Sequence, residues 1–384
     1  MQEFHIDTAE GLNQLCDRLR NSPWLTLDTE FVREKTYYPQ FCLLQISNGE
    51  VAASVDPLAL DDLAPLLELL YDPSITKVFH AGRQDLEIFH NLWGKLPTPL
   101  FDTQLAATLL GLGDQVGYGN LVKEVLGVEL EKGQARTDWS LRPLQSAQLR
   151  YALDDVIYLC DLYLQMKERL EQQGRDSWLQ EDFDYLANPT TYVIQFKDAW
   201  QKVKGRQNLK GVQLAILQSI AGWRESEAQR ADKPKRWILK DEVLADLARR
   251  QPKDENQMGR IRGLEPGTLK RRGDTLMKLI GEGKKTPKEQ WPQEKVRPPR
   301  LTPNQDAMTD LLTCCLRLLA DQNGITHTAL GNRKELERLV NGDKEAEILH
   351  GWRGSMVGDK LLQVLEGKLL PIIKDGVLSL QATE

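Results

Sequence analysis

Cysteine is scarce and scattered in this 384-residue chain: Cys16, Cys42, Cys160, Cys314 and Cys315, with no CxxC pair and no histidine placed beside them. That spacing argues against a zinc module, and the odd count argues against a disulfide framework; buried free thiols are expected. Long apolar runs are also missing. Nothing approaches the ~20 residues needed to cross a bilayer, and the N-terminus carries no charged-then-apolar signal segment. A soluble, cytoplasmic protein is expected.

What is present is a 41% hydrophobic content, ample for globular cores, in a chain long enough for two or three domains. The net charge of −6 hides an asymmetry. Residues 1–190 hold 15 Lys+Arg against 30 Asp+Glu, residues 191–300 hold 26 against 14, and residues 301–384 hold 9 against 12. An acidic first half beside a basic middle segment fits a cation-binding site attached to a module for polyanions.

Along the first half, strand-like and helix-like patterns alternate. Trp24–Phe31, Phe41–Ser47 and Val51–Asp56 predict three short strands, and Asn48-Gly49 makes the second and third antiparallel neighbours. Helical spacing follows over Leu60–Tyr71, then a strand at Thr76–His80, a helix at Arg83–Leu92 and a short strand at Leu100–Phe101. Asp102 is placed to cap a helix from Thr103; Leu121–Leu126 and the long Leu144–Gln172 complete the pattern. The expected fold class is α/β with a mixed sheet. After an irregular stretch to about Gly205, a helical half contains a repeat: Arg272–Leu279 (RGDTLMKL) returns as Val357–Val364 (VGDKLLQV), and Leu239–Leu247 resembles Leu330–Leu339. Two small all-helical domains are expected, joined by a segment holding Pro287, Pro292, Pro298, Pro299 and Pro303.

Three short pieces carry the chemistry. Asp28 and Glu30 end a strand-like run, and strand residues i and i+2 face one side. Tyr151 and Asp155 lie i, i+4 on one helical face, while Asp154 points elsewhere. Asp85 sits in the first turn of a helix after the fourth strand. Singly, each has a plain explanation: solvated acids at a strand end, a tyrosine packed at a helix rim, an acid favoured by the helix dipole. Together, acids on a strand end and two helices can converge on one point. Such a cluster is electrostatically costly unless divalent cations neutralise it, which is the layout of a two-metal nuclease.

At these residues the sequence resembles a known family. LDTEF (Leu27–Phe31), HAGRQDLEIF (His80–Phe89) and YALDDVIYL (Tyr151–Leu159) look like the three exonuclease motifs of the DEDD superfamily in its tyrosine-containing branch, and within it the ribonuclease D family. RTDWSLRPL (Arg136–Leu144), AWQKVKG (Ala199–Gly205) and the two repeats, which resemble helicase-and-RNase-D C-terminal (HRDC) domains, extend the match over nearly the whole chain. The resemblance implies a ribonuclease H-like exonuclease domain over 1–172, a connecting segment over 173–207, a basic RNA-binding HRDC domain over 208–290, a linker over 291–303 and a second HRDC-like domain over 304–376. It also implies 3′→5′ exoribonuclease activity on RNA, tRNA precursors and other small structured RNAs among them, by a monomer. Asp28, Glu30 and Asp155 would hold one divalent ion, with Asp28 bridging to a second that Asp85 helps to hold. All-oxygen ligands suit Mg2+ or Mn2+. Tyr151 would orient the attacking water.

Further residues are expected at the substrate: Gln45 on the second strand, His80 bracing or lining the site, Tyr38 stacking on a base or ribose, and Trp139 and Arg142 shaping the RNA path. In the basic segment, Arg236 and Arg271 head two clusters suited to phosphates: Arg230, Lys233, Lys235, Arg236 and Lys240 around Trp237, and Arg260, Arg262, Lys270, Arg271 and Arg272. Two rival readings exist. A DNA exonuclease would share the carboxylates, since discrimination rests on the 2′-OH; the absence of G-x-x-x-x-G-K-[ST] favours a free-standing RNA trimmer. A non-catalytic RNA-binding protein would not need all five active-site residues.

Overall fold

Residues 40–47 are the key to the architecture. Every residue after Gln40 in this strand is buried, a pattern only a strand covered on both faces by helices can carry. In the computed structural model, which describes all residues except Lys132, Ala135, Arg136, 295–299 and Glu384, this strand lies inside a six-stranded mixed sheet. Arg136 and the linker prolines Pro298 and Pro299 therefore lie outside the described residues. The strands are β1 (Gln2–Ile6), β2 (Trp24–Val32), β3 (Gln40–Ser47), β4 (Val51–Val55), β5 (Thr76–Phe79) and β6 (Leu100–Asp102), in the order β1-β4-β3-β2-β5-β6. β3 and β4 are antiparallel, with Asn48 Oδ1 accepting the amides of Glu50 and Val51 in the turn. The pairs β1–β4, β2–β5 and β5–β6 are parallel. Strand β1 has no counterpart among the expected strands: Gln2–Ile6 is short, polar at alternate positions, and defined by its pairing with β4.

The helices of this part are α1 (Ala9–Leu19), α2 (Ala64–Leu70), α3 (Arg83–Trp93), α4 (Thr103–Leu109), α5 (Tyr118–Leu126), α6 (Ser146–Gln172) and α7 (Gln180–Leu186). Reciprocal hydrogen bonds between Gln145 and Gln148 start α6. The Thr26 hydroxyl on β2 donates to the Val156 carbonyl of α6 at 2.9 Å, pinning that helix over the strand. Four cysteines are buried as expected; Cys314 is exposed.

By contacts the chain divides into two compact units. The first comprises Met1–Glu30, Phe41–Thr191 and Pro299–Glu384, so the C-terminal helices belong with the sheet. They are α13 (Pro303–Gln322), α14 (His327–Leu330), α15 (Arg333–Val340) and a last helix at Asp359–Leu365, and they close around Leu312, Leu316 and Leu336. Trp178 and Trp352 stack face to face, centroids 4.5 Å apart and planes 4° from parallel. The Arg175 guanidinium donates to the carbonyls of Leu109 (2.8 Å) and Asn323 (2.5 Å), and the Thr326 amide to that of Thr108 at 2.9 Å. Helices are followed by an antiparallel hairpin, Leu369–Lys374 with Val377–Ala382, which lies partly beyond the expected domain end at 376. Its turn is Asp375-Gly376, with φ of +52° and +79°; Asp-Gly between apolar runs is a hairpin signal, and it was absent from the expectations.

The second unit comprises Phe31–Gln40 and Tyr192–Pro298. It holds α8 (Val212–Arg230), α9 (Lys235–Ile238), α10 (Asp241–Arg250), α11 (Glu255–Gly259) and α12 (Pro266–Lys285). Trp200 from the AWQKVKG segment is part of its core with Leu217, Leu244 and Ile280. Where α12 crosses α8, a Cβ on Gly283 would stand 2.6 Å from the Ile216 Cα, so only glycine permits that approach.

Candidate active site

Alternation along β2 decides the site. Thr26, Asp28 and Glu30 face α6, whereas Thr29 faces the other way and its hydroxyl donates to the buried Asp85 carboxylate of α3. Asp155 projects from α6, and carboxylate oxygens of Asp28, Glu30 and Asp155 all lie within 4.8 Å of one another. Asp85 is not within that trio; it is close enough to raise the pKa of both Asp28 and Glu30. A cavity of about 250 Å3 opens over the trio, lined also by His80, Tyr118 and Tyr151.

The turn that presents Asp85 is built by Asp102. Its carboxylate caps α4 and also accepts the amides of Ala81 (3.1 Å) and Gly82 (2.8 Å), holding Ala81 at φ +57°. A Cβ on Gly82 would lie 2.5 Å from the Phe79 Cβ. Gly82→Ala is therefore expected to destabilise the fold by about 1–3 kcal/mol, as overpacking does; urea unfolding measures it, and an unchanged midpoint would refute the tight packing.

Four acids in one buried place do not ionise together. Burial pushes Asp28 well above the ordinary carboxylate range, reinforced by Asp85, Asp155 and Glu30. Glu30 is raised to about 9, by burial first and then by Asp155 and Asp85. Asp155 rises to about 7 through burial and Asp154, and Asp85 to about 6 through burial, opposed by the Thr29 hydrogen bond. At neutral pH this cluster holds protons that a cation would displace. The donors are all hard carboxylate oxygens, which fits a divalent ion of the magnesium type and not a soft one. Tyr151 is raised above its ordinary pKa by burial and by the neighbouring carboxylates, so it stays a hydroxyl.

The expected substrate residues fare differently. His80 uses both ring nitrogens: Nε2 lies 3.0 Å from the Val116 carbonyl and Nδ1 3.0 Å from the Thr103 hydroxyl. Burial lowers its pKa, so a neutral ring braces the cavity wall and is not available to hydrogen-bond substrate. Gln45 is fully buried within β3, opposite Ser54, and cannot meet RNA as expected of it. Arg142 is corrected too. Its guanidinium is bound to Asp56 at 2.5 and 2.8 Å and to the carbonyls of Cys42, Trp139 and Leu141, which makes it a clamp for the loop before α6. Trp139 is 1% exposed and packs against Tyr151, ring centroids 6.2 Å apart; it backs the tyrosine and does not line an RNA path. Tyr38, Arg236 and Arg271 belong to the second unit and are exposed there.

Tyr118 is a site residue with no place among the expectations. Its hydroxyl donates to the Asp154 carbonyl at 2.9 Å and its ring meets His80 edge-on at 5.5 Å. With Tyr151 and Asp155 it lines both the cavity and an adjoining cleft of about 440 Å3 whose walls include Asn120, Lys123 and Arg150. The glycine-flanked run Gly117-Tyr118-Gly119 was the available signal.

A carboxylate trio, a satellite aspartate and a tyrosine in this fold define an acidic, divalent-metal-dependent 3′→5′ exonuclease of the DEDD class, and a family of 3′-5′ exonuclease domains matches residues 4–171. HRDC domains match residues 213–280. Ribonuclease D of Sphingobium indicum is 39% identical over 99% of this chain and 98% of its own length, and that of Bartonella henselae 40% over 94% and 89%. The crystal structure of Escherichia coli RNase D, described as an exoribonuclease involved in structured RNA processing, superposes with a TM-score of 0.78 at 33% identity, over 96% of this chain and 99% of that one. The chain belongs to the ribonuclease D family and is a 3′→5′ exoribonuclease.

Proposed function

We propose that the protein trims the 3′ ends of tRNA precursors and other small structured RNAs with two Mg2+ or Mn2+ ions, releasing nucleoside 5′-monophosphates. The observation that carries this reading is the trio of half-buried carboxylates within 4.8 Å of one another beneath Tyr151. Asp28, Glu30 and Asp155 would hold one ion, and Asp28 and Asp85 would hold a second. When bound, the pair supplies a water ionisable at neutral pH and charge neutralisation on the scissile phosphate. Tyr151, kept protonated, hydrogen-bonds the attacking water and fixes its line to phosphorus. Water then adds to phosphorus, the bond to the 3′ oxygen of the preceding nucleotide breaks, and that oxygen takes a proton to leave a new 3′-OH.

In the second unit, Lys233, Arg236, Lys240, Arg260, Arg262, Lys270 and Arg271 are exposed and suit phosphate contacts, as does the 61% exposed ring of Trp237 for base stacking. Arg230 and Arg272 converge instead on Glu227, at 2.9 and 2.6 Å, and Lys235 pairs with Glu225 at 3.3 Å, so those three cations serve the fold. The boundaries 1–172, 173–207, 208–290, 291–303 and 304–376 are part of the same proposal.

The test is digestion of a 5′-labelled RNA with an unstructured 3′ tail, with Mg2+ or Mn2+ and with EDTA, beside a matched DNA strand. Expected is a metal-dependent ladder shortening from the 3′ end, with RNA preferred. Tyr151→Phe should lower kcat by about 10²-fold, the range of a lost proton-handling or water-orienting group, with metal binding retained. Equal cutting of DNA would overturn the substrate assignment; RNA binding without any ladder would overturn the catalytic one.

A further inference from the structure

Between Asp28 and Glu30 on β2 stands a residue to which the chemistry above gives no part. Thr29 is 5% exposed and faces away from α6, whereas its two acidic neighbours face toward it. Its hydroxyl donates to Oδ1 of Asp85, which is itself only 7% exposed. Threonine is stiff about χ1 because two heavy atoms branch from its Cβ. The direction of this hydroxyl is therefore set by the same strand that carries Asp28 and Glu30. The main chain of Asp85 is fixed separately. It lies in the first turn of α3, and the buried Asp102 accepts the amides of Ala81 (3.1 Å) and Gly82 (2.8 Å) just ahead of that turn. What the turn leaves free is rotation of the Asp85 side chain, and the bond from Thr29 restrains it. All of these residues lie in the first unit.

A buried carboxylate needs hydrogen-bond donors, so satisfying Asp85 is one use of that hydroxyl. Its place on the strand, one peptide unit from Asp28 and one from Glu30, gives it a second. We propose that Thr29 is a positioning residue for the exonuclease reaction: its hydroxyl fixes the Asp85 carboxylate relative to Asp28, so that the two can share a cation. This rests on reading Asp28 and Asp85 as the ligands of a second ion. Thr29 touches neither the ion nor the RNA and acts through Asp85. Groups that orient a metal ligand by hydrogen bonding govern metal affinity or activity by roughly 10–100-fold. Because the hydroxyl is given to Asp85 and not to the trio of Asp28, Glu30 and Asp155, its loss weakens one ion and spares the other. A merely structural role would not divide the two ions in this way.

The experiment uses the full-length protein with Thr29→Val, which keeps the shape and removes the hydroxyl, and Thr29→Ser, which keeps the hydroxyl. Mn2+ uptake is titrated by the loss of the free-ion EPR signal. AMP is present as the reaction product, since ions of the magnesium type complete their coordination with substrate phosphate. The dependence of kcat on Mn2+ is read on a 5′-labelled single-stranded RNA, and folding by thermal melting in EDTA. In Thr29→Val the first Mn2+ is expected to bind as in the wild type and the second about tenfold more weakly, with kcat about tenfold lower at low Mn2+ and recovering as the ion is raised. Thr29→Ser is expected to stay close to the wild type. A second ion held as tightly in cooperatively folded Thr29→Val as in the wild type would overturn the role. Equal weakening of both ions would also overturn it, as would a Thr29→Ser as impaired as Thr29→Val, which would make packing of the methyl group the cause. If Thr29→Val does not fold, Thr29→Ala against Thr29→Ser decides by the same criteria, because that pair differs by the hydroxyl alone. A wild-type protein that takes up a single Mn2+ would overturn the two-ion reading itself; that failure shows in the wild type before any variant is compared, so the two are distinguishable.

Discussion

Asp28→Asn lowers 3′-end trimming by about 10³-fold or more, the few kcal/mol of charge stabilisation that a lost metal site withdraws, while the metal-free variant melts higher than the wild type at pH 8. Both halves follow from one cause. Asp28 is the acid on which the pKa perturbations of Asp85, Asp155 and Glu30 converge, so it carries the strongest claim on a cation and the strongest repulsion without one. An asparagine keeps the shape and removes the charge. The ladder assay on 5′-labelled RNA reads the first effect and calorimetry in EDTA the second. An active variant would remove Asp28 from the centre, and a variant that melts lower would show that the site is not electrostatically strained.

The second large effect is on stability against pH. The folded-state pKa values of Glu30, Asp155 and Asp85 lie at about 9, 7 and 6, against ordinary values of 4.5, 3.8 and 3.8. Groups raised in this way bind protons more tightly folded than unfolded. The stability they contribute is complete below about pH 4 and is lost as pH rises through the folded values. The metal-free protein is thus expected to lose several kcal/mol between about pH 5 and 9, since each tenfold gain in proton affinity on folding is worth ~1.4 kcal/mol. Millimolar Mg2+ should cancel most of the loss, because a bound cation favours the ionised carboxylates. Melting curves at pH 5, 7 and 9, with EDTA or Mg2+, give the answer. A Tm that is flat in EDTA across that range would show that the acids do not repel one another in the folded state.

Much of the site was legible in the chain because its geometry is local. The i, i+2 spacing of Asp28 and Glu30 and the i, i+4 spacing of Tyr151 and Asp155 fix which side chains share a face before any tertiary contact forms. Asp102 as a helix cap, the antiparallel turn at Asn48-Gly49 and the long α6 rest on equally local chemistry. The residues that misled were those whose role depends on what covers them. Gln45 reads as a polar outward position, and only a sheet covered on both faces buries it. Arg142 reads as a free cation, and only the approach of Asp56, 86 residues away in sequence, makes it a clamp. Trp139 reads as a residue of the RNA path, and only its burial behind the Tyr151 ring makes it that tyrosine's backing.

The sequence by itself determined the five residues proposed for catalysis, the α/β character of the first half and the basic character of the middle, since these depend on spacing, periodicity and charge. The tertiary structure alone decided that Asp85 stands apart from the trio and is held by Thr29, that the C-terminal helices pack through Trp178 and Trp352 into the same unit as the sheet, and that residues 31–40 join the basic unit through Tyr37 and Asp232. Each of these unites residues far apart in the chain. Such contacts are chosen by burial and hydrogen-bond satisfaction in the assembled fold, and no local pattern encodes them.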